Sequence, residues 1–407
     1  MTAAAGARTA AQARVRATLR AAGVEDAAID DAIDDDVLDL LAVDRLLVPS
    51  GPRYTTVEVS EATGLAPELL RRFWRALGFL EPADEERALT DLDVEAAGIL
   101  RTMVRLGVTE VETAVQLARV IGSSMARIAE AGVVRAATTL GAEEDSVMAA
   151  DAFSGIAGEL LPAMDRLLGY VWRRHVQAVA RRTMLLRTEG RQWGARQVLA
   201  VGFADMVGFT VLSQHLSDHE LATVVQRFEE ISYDIVTGLG GRMVKTIGDE
   251  AMFVAEDAVD AASIGLSLAE AYADDDLLSD VRVGLSAGQV LVNDGDYFGP
   301  TVNLAARIVS IARPGTVLVS DDFHRQVSDR AGELSWRRLG IRQLKDLGPV
   351  TLWWCGRAGQ EPAGIGGPAD DRRRLRWDRL VGVVRDLDEL RGAGERFLSG
   401  GRRGGRT

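Results

Sequence analysis

The stretch "MVKTIGDEAMFV", residues 243–254, sets two apolar runs on either side of Gly248-Asp249. Gly-Asp between strand-forming residues is a tight-turn signal, so the reading is strand, two-residue turn, strand, with Asp249 at the tip. Upstream, "VGFADMVGFT" (201–210) carries Asp205 in another apolar run, followed by a glycine turn and a helix start. If these strands are neighbours, the two carboxylates converge at one edge of a sheet. Buried like charges raise each other's pKa unless a cation joins them. Oxygen donors with no histidine or cysteine nearby favour Mg²⁺ or Mn²⁺ over zinc. Paired aspartates sharing two such ions form a clamp for phosphoryl chemistry. Taken singly, each aspartate reads more simply as a turn acid; the pair in its context does not.

Outward from the hairpin, "RQVLAVGFAD", "RMVKTIG", "EAMFVAED", "VRVGLSAGQVLV" and "GTVLVSDD" are β-rich runs. They alternate with helical segments at roughly 211–238, 257–274 and 300–312, which predicts a sheet layered with helices. Residues 1–190 instead show apolar residues at helical spacing, as in "APELLRRFWRALGFL" and "EVETAVQLARVIGSSMARIAEAG". Thr90 or Asp91 in "LTDLDVE" is a helix start. The expected division is a helical domain over 1–164, a connecting helix over 165–194, a mixed domain over 195–357, and a Gly/Pro linker with a basic tail over 358–407. The Ala/Arg-rich start reads as a helix or a frayed arm.

The chain has 407 residues, 47% hydrophobic and 26% charged, enough for two or three packed domains. A net charge of −13 argues against nucleic acid or an anionic membrane as partner of the whole chain. The single cysteine, Cys355, excludes an intramolecular disulfide and a cysteine-based zinc site. No uninterrupted apolar run reaches the roughly 18–20 residues that cross a bilayer, so no integral membrane association is expected. A reducing cytoplasm is the expected compartment.

A second constellation is "DYFGPTVNLAARIV", residues 296–309. Pro300 suits the first turn of a helix, which puts Asn303 and Arg307 four apart on one face. An amide and a guanidinium on one stripe can grip a ribose and a phosphate together. The Gly208-Phe209-Thr210 turn offers backbone N–H groups to a polyphosphate.

Together these motifs resemble a class III nucleotidyl cyclase catalytic domain over about 195–357. The resemblance implies a ferredoxin-like βαββαβ core, and hence an α+β class once the all-α N-terminal half is added. It makes Asp205, Met206 and Asp249 metal ligands for two Mg²⁺ or Mn²⁺ ions. Lys245 and Asp296 become adenine-selecting residues, and Asn303 and Arg307 the pair that stabilises the transition state. Phe209 and Thr210 join the substrate-binding set, as does Lys345 in "RQLKDLG", a polyphosphate lysine. It also implies a homodimer, with metal acids from one chain facing purine-reading residues of the other. The expected reaction is adenylate cyclase chemistry, ATP to cyclic AMP and pyrophosphate. The alternative is a catalytically silent nucleotide-binding or DNA-binding regulator with the same fold.

Residues 54–107 resemble in pattern the winged helix-turn-helix of mercury-resistance-type regulators. Residues 1–100 hold 19 acidic against 10 basic side chains, which weighs against DNA. The N-terminal half also resembles the helical regulatory domain of soluble pH-responsive actinobacterial cyclases. His175 falls on the stripe Leu168, Val171, Trp172, Val179, where a packing role is the simpler reading and a pH-dependent regulatory one the sharper. The basic tail reads as a solvated amphipathic helix, with peripheral contact to lipid left open.

Overall fold

The computed structural model describes residues 2–107, 110–140, 145–188, 196–330 and 332–361. The chain divides into two compact units, Met1–Arg191 and Gln192–Thr407. The expected basic tail falls on 362–407, outside the described residues.

The first unit holds α1 (Thr2–Ala21), α2 (Asp26–Asp34), α3 (Leu38–Leu47), α4 (Thr56–Thr63), α5 (Pro67–Leu77), α6 (Asp91–Arg105), α7 (Val111–Leu140) and α8 (Ser146–Thr188). Helix α1 is no frayed arm: Ala11, Val15 and Leu19, four apart, are fully buried against α2, α3 and the start of α8. Thr90 caps α6 in a reciprocal box with Asp93, as the Thr-Asp signal predicts. The helix-turn-helix pattern is present as α4, a left-handed Gly64 with φ 71°, and α5. Its expected short strand is only a single bridge, Tyr54 to Leu89.

Helix α8 bears on two expectations. It runs without interruption across 164/165, with Pro162 inside it, so the expected domain boundary lies within one helix. Its span Ser146–Met184 is also long and apolar enough to cross a membrane by length and composition. Alanines and larger apolar residues raise its mean hydropathy without forming the uninterrupted run that a linear reading looks for. His175, Val171, Trp172 and Val179 are all exposed, so the stripe is not packed within its unit.

In the second unit the order is β1 (Arg196–Met206), α9 (Phe209–Leu212), α10 (Asp218–Gly238), β2 (Arg242–Ile247), β3 (Glu250–Ala255), α11 (Ala258–Asp274) and β4 (Val281–Asn293). Then follow β5 (Asp296–Phe298), α12 (Pro300–Ile311), β6 (Val317–Ser320), α13 (Asp321–Val327), β7 (Leu334–Leu344) and β8 (Gly348–Arg357). The sheet order is β2-β3-β1-β4-β6-β8-β7, with β5 paired to β4 alone. Its first four strands, all antiparallel neighbours joined through α10 and α11, are the expected βαββαβ core. One face packs on α10 and α11 through Phe228, Phe253, Leu285 and Tyr272. The other carries Val201, Phe203, Met252 and Val254, covered by α12 and Tyr297.

Helix α12 lies flush on β4 because Gly284 presents no side chain. A Cβ there would meet the Val309 nitrogen at 2.3 Å and the Ala305 oxygen at 2.7 Å. Thr301 anchors the helix start by donating its hydroxyl to the Gln289 carbonyl at 2.8 Å.

Candidate active site

The acids come first. Asp205 near the end of β1 stands opposite Glu250 on β3 and Arg282 on β4. The Gly248-Asp249 turn sits at the same end of the sheet, with Gly248 at φ 62° supplying the conformation a two-residue hairpin needs. The Met206 N–H donates to the Asp249 carbonyl at 2.9 Å, tying strand end to turn. Arg282 donates Nε to Asp205 Oδ2 at 2.5 Å and a second guanidinium N–H to the Ser310 carbonyl of α12 at 3.3 Å. Burial, and then the nearby Asp205 charge, hold the Asp249 carboxyl above its ordinary range. Burial, Asp205 and Asp249 do the same to Glu250.

Three carboxylates against one guanidinium is an environment a cation relieves. Among the described residues no group of three or more His, Cys, Asp or Glu is arranged as a complete metal cage. A hard ion at such a place is held by one or two carboxylates together with water and substrate phosphates. The Met206 side chain is buried in the core, so its carbonyl oxygen is the donor it has left. The residues present therefore fit divalent ions.

The structure also joins Lys245 to Asp296: Nζ donates to Oδ2 at 2.5 Å, while Oδ1 accepts the Tyr297 N–H at 2.8 Å. Both side chains are about one-third exposed, at 38% and 32%. On α12, Thr301, Val302, Ala305, Ile308 and Val309 face inward, leaving Asn303 and Arg307 exposed on one stripe. Arg307 donates to Asp346 at 3.3 Å. Asp346 follows Lys345, an exposed residue, in the turn between β7 and β8. Gly208, at φ 79°, turns the chain from β1 into α9, where Phe209 is half-buried and Thr210 exposed.

These residues form separate groups. Among the described residues no hydrogen bond or ion pair links Asn303 or Arg307 to Asp205 or Asp249. Sequence reasoning missed Arg282 and Glu250. Arg282 sits in "VRVGL", where alternation marks it as facing away from Val281 and Val283, but only strand register puts it opposite Asp205.

Comparison with known proteins gives a consistent picture. Residues 194–355 match the family described as adenylate and guanylate cyclase catalytic domain. Residues 3–176 match the adenylate cyclase regulatory domain. An adenylate cyclase of Streptomyces coelicolor is 39% identical over 288 residues, 70% of this chain and 75% of that protein. An adenylate cyclase of Glutamicibacter nicotianae is 36% identical, covering 68% of this chain and 72% of its own length. The pH-sensitive adenylate cyclase MT1302 of Mycobacterium tuberculosis is 33% identical, covering 82% of this chain and 85% of its own.

Proposed function

The chain belongs to the adenylate and guanylate cyclase family, and we propose that it converts ATP to 3′,5′-cyclic AMP and pyrophosphate under the control of its helical half. The observation that carries the site assignment is the meeting of Asp205 and Asp249 at one sheet end, locked by the Met206–Asp249 main-chain bond. Divalent ions held by Asp205, Asp249 and the Met206 carbonyl, two of them and either Mg²⁺ or Mn²⁺, would acidify the ribose 3′-hydroxyl and neutralise the triphosphate. The 3′-hydroxyl proton passes to water as O3′ bonds to the α-phosphorus; the bond from that phosphorus to the oxygen bridging it to the β-phosphate breaks, and pyrophosphate leaves.

Each remaining residue has a task set by its chemistry. Asp296 accepts from the adenine amine and Lys245 donates to a ring nitrogen; guanine would leave such groups unpaired. Asn303 orients the ribose, and Arg307 meets charge growing on the α-phosphate, a role worth about 3 kcal/mol for oriented donors elsewhere. Lys345, with the amides at Phe209 and Thr210, holds the departing polyphosphate. We read the enzyme as a homodimer whose sites draw on both copies, in keeping with the lack, among the described residues, of any hydrogen bond or ion pair from Asn303 or Arg307 to Asp205 or Asp249. We place the reaction in the cytoplasm, with residues 1–164 and the helix beyond as the regulatory part.

Asp205→Ala should abolish cyclic AMP formation from ATP and Mn²⁺; near-normal turnover would refute the site. Mixing Asp205→Ala with Arg307→Ala chains should restore part of the activity, and no rescue would refute the shared site. Regulation by pH, with His175 as one sensor, predicts different pH–activity profiles for the full chain and for His175→Ala. Identical profiles would remove that residue from the account.

A further inference from the structure

We propose that Arg242 is a positioning residue for purine selection: its guanidinium lies over the Tyr297 ring within cation–π range and so holds Asp296 where Lys245 and the base meet it. This rests on the reading that Lys245 and Asp296 recognise adenine, and it adds a residue to which that reading assigns no role.

The argument starts from strand register. Residues three apart on a regular strand point to opposite faces. Arg242 pairs with Val254 and Met243 with Phe253, but Lys245, not Val244, pairs with Met252. Val244 is thus an extra residue, a bulge, and bulges re-aim the side chains that follow them. Arg242 and Lys245 consequently share the face of Val254 and Met252, which is also the face of Tyr297 and α12. Without the bulge Lys245 would point to the α10–α11 side, where Met243 packs.

On that shared face both cations reach β5. Lys245 binds Asp296, and the Arg242 guanidinium lies 5.7 Å from the centre of the Tyr297 ring, within cation–π range. Tyr297 is 8% exposed, so its ring is a firm platform. The Tyr297 N–H in turn binds Asp296 Oδ1. Strand β5 has three residues and a single strand partner, β4, and its Tyr297 ring packs in the cluster that α12 covers. The two contacts from β2 form a two-point clasp. One point is the reading pair itself; the other, Arg242 on Tyr297, sets where Asp296 stands. Discrimination between purines depends on polar groups placed to pair with one base and be left unpaired by the other, so a loose Asp296 reads poorly.

The test is the ratio of kcat/KM for ATP to that for GTP, measured on the full chain with Mn²⁺. Arg242→Leu keeps the bulk and removes the charge; it should lower the ratio about tenfold, mainly through a raised KM for ATP. Arg242→Lys, a cation without the planar fork, should recover part of it. Tyr297→Phe retains the ring and should keep the ratio, whereas Tyr297→Leu should lose it. Melting temperatures check that each variant is folded. Lys245→Ala is the reference. If it collapses the ratio while folded Arg242→Leu leaves it intact, the clasp is wrong and the purine reading stands. If Lys245→Ala leaves the ratio intact, the purine reading itself is wrong. Equal damage from Tyr297→Phe and Tyr297→Leu would also overturn the clasp, since the ring would not be what matters.

Discussion

Replacing Gly284 with alanine adds one methyl group that touches no substrate, yet the structure predicts that it will cripple turnover. Gly284 is an extended residue of β4, so its backbone accepts alanine and only space is at issue. The new Cβ would lie 2.3 Å from the Val309 nitrogen, 2.7 Å from the Ala305 oxygen and 2.9 Å from the Val309 Cα. All three are main-chain atoms of α12, so no rotamer change relieves the clash. Ordinary contact begins at 3.4 Å, and the helix must therefore move away by about 1 Å at that point. Overpacking of this kind costs about 1–3 kcal/mol, or about 3–10 °C in melting temperature for a unit of this size. The same shift carries Asn303 and Arg307 with it. Misplacing a catalytic group by about 1 Å costs about 10²-fold in rate. The assay is cyclic AMP production at saturating ATP and Mn²⁺, alongside thermal melts. Gly238→Ala serves as control, since a Cβ at that helical position meets nothing within 4 Å. A Gly284→Ala enzyme with wild-type kcat and melting temperature would refute the claim that close helix–sheet contact holds the Asn/Arg stripe in place.

Three further predictions concern titration. Asp249 and Glu250 are raised by burial, so the folded chain binds protons more readily than the unfolded one, and without metal it loses stability as pH rises through the carboxylate range. Mn²⁺ should thus raise the melting temperature more at about pH 7 than at about pH 5, and a pH-independent shift would contradict this. Burial pushes the Cys355 thiol up to about 12, so a thiol reagent at about pH 8 should label the native chain only as fast as it unfolds. Prompt stoichiometric labelling would show the site to be open. His324, stacked 3.7 Å from Trp353 and edge-on to Trp336, is held below its ordinary 6.5 by burial. Its contribution to stability is present above that value and fades as pH falls through and below it. His324→Phe keeps a ring in the stack and should flatten that slope; an unchanged slope would assign it elsewhere.

What the sequence disclosed and what it withheld divide along a physical line. The Gly248-Asp249 hairpin, the Thr90 cap and the Pro300 helix start were legible because each depends on residues within one turn of itself. Asp205 and Asp249 stood out because carboxylates in apolar runs demand a reason, Asn303 and Arg307 by their spacing of four on one helix, and Lys245 only through the resemblance to a family motif. Arg282 offered no such signal: its partner Asp205 lies 77 residues away, and strand register alone brings them together. The Val244 bulge was equally hidden, since no glycine or proline marks it, and strict alternation would have sent Lys245 to the wrong face. Strands β7 and β8 escaped notice because "LSWRRLGIRQL" spreads its arginines over exposed positions and blurs the period of two. Groups that would touch the nucleotide thus announce themselves by residue type. Those that hold them in place look like ordinary surface arginines and plain glycines until the strands are aligned. Purine selectivity and rate should consequently respond to Arg242 and Gly284 about as strongly as to some residues of the expected site, although neither belongs to any motif of the chain.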